Sequence, residues 1–356
     1  MHKPISLSIL LTGIVLTACQ PSPDSSSSAQ SSAPQQESSV PKYSAEAFFA
    51  TTSYALVGSE GFAFSPDGDA LLISSDATGV FNAYALPVDG RPARQLTDSD
   101  DNAVFAVSWF PADERILYTY DSGGNELNHI VVREVDGSSR DLTSGDDLKA
   151  AFVSWSDDGE SFYLVTTERN QRSFDLYRYD ADDYSRELVF ENPGYQISAL
   201  SNDGRWLSLD RPRTSADADI YVVDLHGDDR EPKLITAHDG NIEYATYDFT
   251  PDSAALIYST DEHGEFRQAW RHDLASGGKS LLVEAPWDVS FVSYSNSGRY
   301  RVTGINADAR TEVALIDTTT GKSVEMPALP PGDLRNIRFS PDESHLALIV
   351  NADNSP

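Results

Sequence analysis

Few residues of this 356-residue chain have the type and spacing that covalent chemistry needs. A serine nucleophile raised on a G-x-S-x-G turn has no match anywhere in it. H-E-x-x-H is also missing, and no Cys or His group has zinc-ligand spacing. Gly278-Lys279-Ser280 and Gly321-Lys322-Ser323 end like a phosphate loop, but Asp273 and Ile316 stand where its first glycine belongs. Both triplets read instead as turns between strands. Beyond His2, six histidines, His129, His226, His238, His263, His272 and His345, are scattered along the chain and read as surface or strand positions. Asp121, Asn125 and Glu126 form an exposed polar set whose better reading is to stabilise a hairpin. No catalytic residue, metal ligand or cofactor site is therefore assigned. The residue best placed for covalent chemistry is Cys19, the single cysteine, whose thiol follows an apolar stretch from Ile5 to Leu16.

That stretch is too short to cross a bilayer, and with His2 and Lys3 before it, it reads as a processing signal. Leu16-Thr17-Ala18-Cys19 resembles the lipobox of bacterial lipoproteins. The resemblance implies a signal peptide over residues 1–18, a diacylglycerol on Cys19 and acylation of the new amine. Several acyl chains hold a protein to a membrane where one does not. Gln20 in place of Asp leans towards the outer membrane of a Gram-negative envelope, facing the periplasm. Residues 19–41 are Ser, Gln and Pro with almost no large apolar side chain, which reads as a disordered tether.

Charge narrows the partners. Asp and Glu number 56 against 26 Lys and Arg, a formal charge of −30, and nucleic acid needs basic patches that are absent here. The acidic doublets, such as Asp157-Asp158 and Asp228-Asp229, fall in expected turns and lack the liganding pattern of a calcium loop.

The element that must position everything else is a repeat. Phe64-Ser65-Pro66-Asp67-Gly68 recurs as variants starting at Trp109, Trp155, Leu200, Phe249, Tyr294 and Phe339, at spacings of 45, 46, 45, 49, 45 and 45. Pro pre-sets the turn, Asp bonds its own backbone and Gly accepts positive φ, so each copy joins two antiparallel strands. Apolar runs such as Phe162-Tyr163-Leu164-Val165 follow each corner, then a third strand ending at an Asp turn, then a fourth. Four short strands per repeat at this period predict an all-β, seven-bladed β-propeller over residues 42–356. The seventh corner starts at Phe339 and only 17 positions remain, so the seventh blade is expected to be incomplete and the chain truncated. Residues 42–58 are expected to lend it one strand at most, and Ser44-Ala45-Glu46-Ala47-Phe48-Phe49 to form a helical turn or two.

Beyond the generic repeat, Tyr43–Phe49 leading into Phe62–Gly68, the segment Tyr120-Asp121-Ser122-Gly123-Gly124-Asn125-Glu126, the Trp155 corner and Asp219-Ile220-Tyr221-Val222-Val223-Asp224 carry a family resemblance. The chain resembles the amino-terminal propeller of the S9 (prolyl oligopeptidase) serine peptidases, nearest their dipeptidyl- and acylaminoacyl-peptidase branches. The resemblance implies a substrate-gating domain that acts on short peptides together with a following α/β-hydrolase domain. No triad residue has a counterpart here, and no Glu-Glu pair exists to hold a substrate amino terminus. The alternative is a non-enzymatic propeller lipoprotein, similar to TolB-type scaffolds, that binds a cell-envelope protein.

Overall fold

The computed structural model describes residues 42–351, apart from 59 and 331. Cys19 and the signal and tether segments lie outside the described residues. The chain divides into a unit ending at Phe49 and a second from Ala50 onwards. In the first, Ala45–Phe49 forms the expected short helix.

The second unit is a β-propeller of six four-stranded blades. In each, the strands follow chain order across the sheet and every pairing is antiparallel. Blade one is Tyr54–Leu56, Ala70–Ser75, Asn82–Pro87 and Arg94–Gln95. Blades two to six open with Val104–Trp109, Ala150–Trp155, Gln196–Leu200, Tyr244–Phe249 and Asp288–Tyr294. The seven-bladed expectation needs correcting. The seventh repeat supplies only a two-stranded sheet, Asp333–Phe339 with Leu346–Asn351. A second correction concerns residues 42–58: the strand they lend, Tyr54–Leu56, pairs with Ile73–Ser75 in blade one and not in the seventh repeat.

The corners form as the sequence dictates. Ser65 Oγ donates to Asp67 Oδ1 at 2.6 Å and accepts Ala70 N at 3.0 Å, while Gly68 sits at φ 78°. Ser156–Asp158, Ser201–Asp203, Thr250–Asp252 and Ser340–Asp342 repeat the hydroxyl–carboxylate bond at 2.6 Å. Gly159 shows a second reason for glycine, since a Cβ there would come within 2.7 Å of Pro111 in the preceding corner.

The core lies between blades. Alternation along a strand sends Phe162 and Leu164 towards blade two, where Phe110, Leu117 and Val132 meet them. Tyr163 and Val165, between them in sequence, pack with Leu200, Leu207 and Leu209 of blade four. Burial on both faces explains why these strands read as unbroken apolar runs. Ala347 of the seventh repeat joins the blade-one cluster around Val57, Phe64 and Leu72.

One hydrogen bond of this packing is made in one repeat and missing from its neighbour. Trp155 Nε1 donates to Ser108 Oγ at 2.8 Å. Trp109, one repeat earlier, has a buried Nε1 with no hydrogen-bond partner, and Ala63 stands where Ser108 would be. Ala63→Ser is expected to raise the unfolding free energy by about 1 kcal/mol, the net worth of one buried hydrogen bond. A lower urea midpoint would show instead that the added hydroxyl has no room.

Candidate functional site

The first strands of blades three to six touch in succession, so they lie nearest the propeller axis. The residue just before each corner shows what this crowding demands. In chain order these are Ala63, Ser108, Ser154, Ala199, Asp248, Ser293 and Arg338. Five are small, and Ser108 illustrates why. It is fully buried, accepts Phe62 N at 2.9 Å and Trp155 Nε1, and donates to Trp109 O at 2.6 Å.

Asp248 and Arg338 break that rule. The pairing register shifts between Thr246 and Asp248 and between Arg335 and Arg338, as it also does between Ala106 and Ser108 and between Ile197 and Ala199, so the irregularity belongs to this place in the repeat whatever residue fills it. Such bulges bend a strand and re-aim its side chains. Asp248 is exposed to solvent, although it belongs to an inner strand. Desolvation by the surrounding protein pushes its carboxyl up to about 7, opposed by the bond from Phe249 N at 2.7 Å and reinforced by Glu60. A group that touches water and yet is stripped of most hydration fits a side chain projecting into a narrow wet channel.

Arg338 completes the set from the seventh repeat. Its Nε donates to Gly58 O at 3.2 Å, Nη2 to Val57 O at 3.1 Å and Nη1 to Ile337 O at 2.7 Å. Desolvation pulls its pKa below the ordinary arginine value, and Glu60 opposes that shift. Glu60 is thus within electrostatic reach of both Asp248 and Arg338, although blades five and one are not neighbours in the ring. Glu60, Asp248 and Arg338 thus set charges of both signs within electrostatic reach of one another.

The residues singled out in the sequence fall elsewhere. Asp121 accepts Glu126 N at 2.8 Å and Asn125 accepts Leu127 N at 3.0 Å, so both tie their own loop. Glu126 is exposed at φ 60°. The histidines do not converge. His129 pairs with Asp141 at 2.7 Å, His272 is buried in blade five, and His238 sits in an ionic cluster of blade four. Gly278-Lys279-Ser280 and Gly321-Lys322-Ser323 lie where the third strand turns into the fourth. Among the described residues no group of three or more His, Cys, Asp or Glu is arranged to hold a metal. Asp248 and Arg338 escaped the sequence reading, although aligning the position before each corner would have exposed them as its two charges.

The model of the prolyl oligopeptidase N-terminal β-propeller domain matches residues 83–351. The chain is 26% identical over 285 residues to dipeptidyl aminopeptidase BIII of Pseudoxanthomonas mexicana, covering 76% of this chain and 40% of that protein. It therefore spans less than half the length of that relative. Among solved structures, an oligogalacturonate lyase in complex with manganese superposes with TM-score 0.65 at 14% identity, covering 86% of this chain and 89% of that one. An oligogalacturonate lyase from Vibrio parahaemolyticus gives 0.62 at 16%, with the same coverage. A prolyl endopeptidase gives 0.59 at 16%, covering 81% of this chain and 45% of that one. At these identities the structural likenesses speak to the fold alone. The match of the family model along most of the chain places it in the prolyl oligopeptidase N-terminal β-propeller family.

Proposed function

We propose that this chain is the substrate-gating propeller of an S9-type serine peptidase. It admits short peptides to a hydrolase domain and supplies no catalytic residue itself. Lipid on Cys19 holds it to the outer membrane, facing the periplasm of a Gram-negative cell. The observation that carries the reading is the propeller-model match over residues 83–351, supported by the similarity to a dipeptidyl aminopeptidase. The mixed charge of Asp248, Glu60 and Arg338 supplies a physical means of selection, because charge lining a low-dielectric passage concentrates solutes of opposite sign.

Residues 19–356, purified alone, are expected to leave peptide–chromophore substrates intact and to take no label from a serine-directed phosphonate. Hydrolysis blocked by the phosphonate would overturn the gating assignment. In the complete peptidase at pH 8, above the value of about 7 to which burial raises the Asp248 carboxyl, Asp248→Lys reverses the charge at this position. It is expected to lower kcat/KM for cationic dipeptide substrates about tenfold at low salt and less at high salt, where charge is screened. An unchanged salt profile would remove Asp248 from the selection step.

A further inference from the structure

A buried histidine in blade four has no part in the channel, and its surroundings demand a proton. His238 lies just past the fourth strand, Lys233–Leu234, on the way to blade five, and its side chain is 1% exposed. Its Nδ1 is 2.8 Å from Thr236 O and its Nε2 is 3.0 Å from Asp217 Oδ1. A carbonyl and a carboxylate can only accept. A neutral imidazole carries one N–H, so it would set a lone pair against one of these oxygens. Only the imidazolium satisfies both.

The rest of the cluster balances that charge. Asp219 Oδ1 lies 3.6 Å from Nδ1 and is buried without a hydrogen-bond partner. Arg213 bonds Asp219 and reaches Asp217 at 3.5 Å. Two cations thus meet two carboxylates. On the blade-five side the ring faces Tyr244, centroids 5.2 Å apart, whose hydroxyl donates to Glu262 at 2.6 Å and whose ring has Lys279 Nζ 5.9 Å from its centroid. Asp239 is the charged neighbour in sequence.

Arg213, Asp217 and Asp219 all belong to one hairpin, Trp206–Thr214 with Asp217–Asp224, the longest strand pair of the propeller. Its tip, residues 211–216, is exposed. We propose that protonated His238 latches this hairpin to the exit of blade four, and that loss of the proton at higher pH releases the tip. The bond from Thr236 O, Asp217 and Asp219 raise the histidine above its ordinary pKa, against burial and Arg213. A raised folded-state pKa gives stabilisation that is complete below the unfolded value of about 6.5 and is lost as pH rises through the folded value.

The test is imidazole NMR of the full chain, with hydrogen exchange of residues 211–220 followed from about pH 6 to pH 9 and corrected for intrinsic rates. His238 is expected to lose its proton above the ordinary imidazole value of about 6.5, and hairpin protection to fall in step. His238→Gln is expected to flatten the pH dependence. Asp217→Asn, a milder change, is expected to bring the His238 titration down towards the ordinary range. A His238 that loses its proton at or below about pH 6.5, or protection independent of pH in the unmodified chain, would overturn the latch. So would an Asp217→Asn variant with an unaltered titration.

Discussion

Trp155→Ala is expected to lower the unfolding free energy by about 3–5 kcal/mol, the usual loss when a large buried aromatic is cut back to a methyl. The residue ends the first strand of blade three and is 7% exposed. Its ring lies 4.9 Å from Phe110 in an edge contact and 5.3 Å from Phe162, with Phe62 and Phe152 within 6.2 Å. These side chains come from blades one, two and three, so the cavity would open where three repeats meet. Neighbouring strands are pinned by their own ladders and can collapse into it only in part. The indole N–H adds a second loss, because Ser108 Oγ would keep only the donor from Phe62 N. Trp155→Phe separates the two effects: it keeps most of the ring packing and removes the hydrogen bond, for an expected loss of about 1 kcal/mol beyond the volume change. Urea unfolding of both variants checks this. A loss below about 1 kcal/mol for the alanine variant would mean that the cluster relaxes freely, contrary to the packing argument.

What could be read from the sequence divides along physical lines. Corners are local: Ser65, Asp67 and Gly68 bond or bend their own backbone, so their types and order were enough to place the turns. Phe162–Val165 read as a strand because both its faces are covered, which leaves an apolar run. The partner of Tyr54–Leu56 was not legible, since three residues of ordinary composition pair equally well with either neighbouring sheet until register and packing decide. Asp248 and Arg338 each look like an unremarkable strand charge, and their meaning appears only when seven repeats are stacked about one axis. His238 was set aside as one scattered histidine among six. The alternating Asp217-Ala218-Asp219 lies about twenty residues earlier, and only the antiparallel hairpin and the return of the chain bring these carboxylates to the imidazole.

Arg338→Met is expected to cost on the order of 2–3 kcal/mol, with the damage confined to the junction between the seventh repeat and blade one. Among the described residues no strand pairing crosses that junction, because the seventh sheet there contains only Asp333–Phe339 and Leu346–Asn351. Packing of Ala347 into the blade-one cluster contributes, but it is not directional. Two guanidinium bonds, to Gly58 O and Val57 O, are directional. A methionine keeps much of the aliphatic bulk and removes every donor, so it isolates the hydrogen bonds from the packing. Gly58 is exposed and Arg338 half-buried, so water can replace part of what is lost; this keeps the expected figure below that for two fully buried charged bonds. Lysine is not an equivalent replacement, since an ammonium lacks the planar fork that spans two successive carbonyls. Hydrogen exchange should therefore quicken in residues 54–57 and 333–351 and stay unchanged in blades three and four. Equal protection at the junction in Arg338→Met and in the unmodified chain would show that apolar packing alone closes the ring.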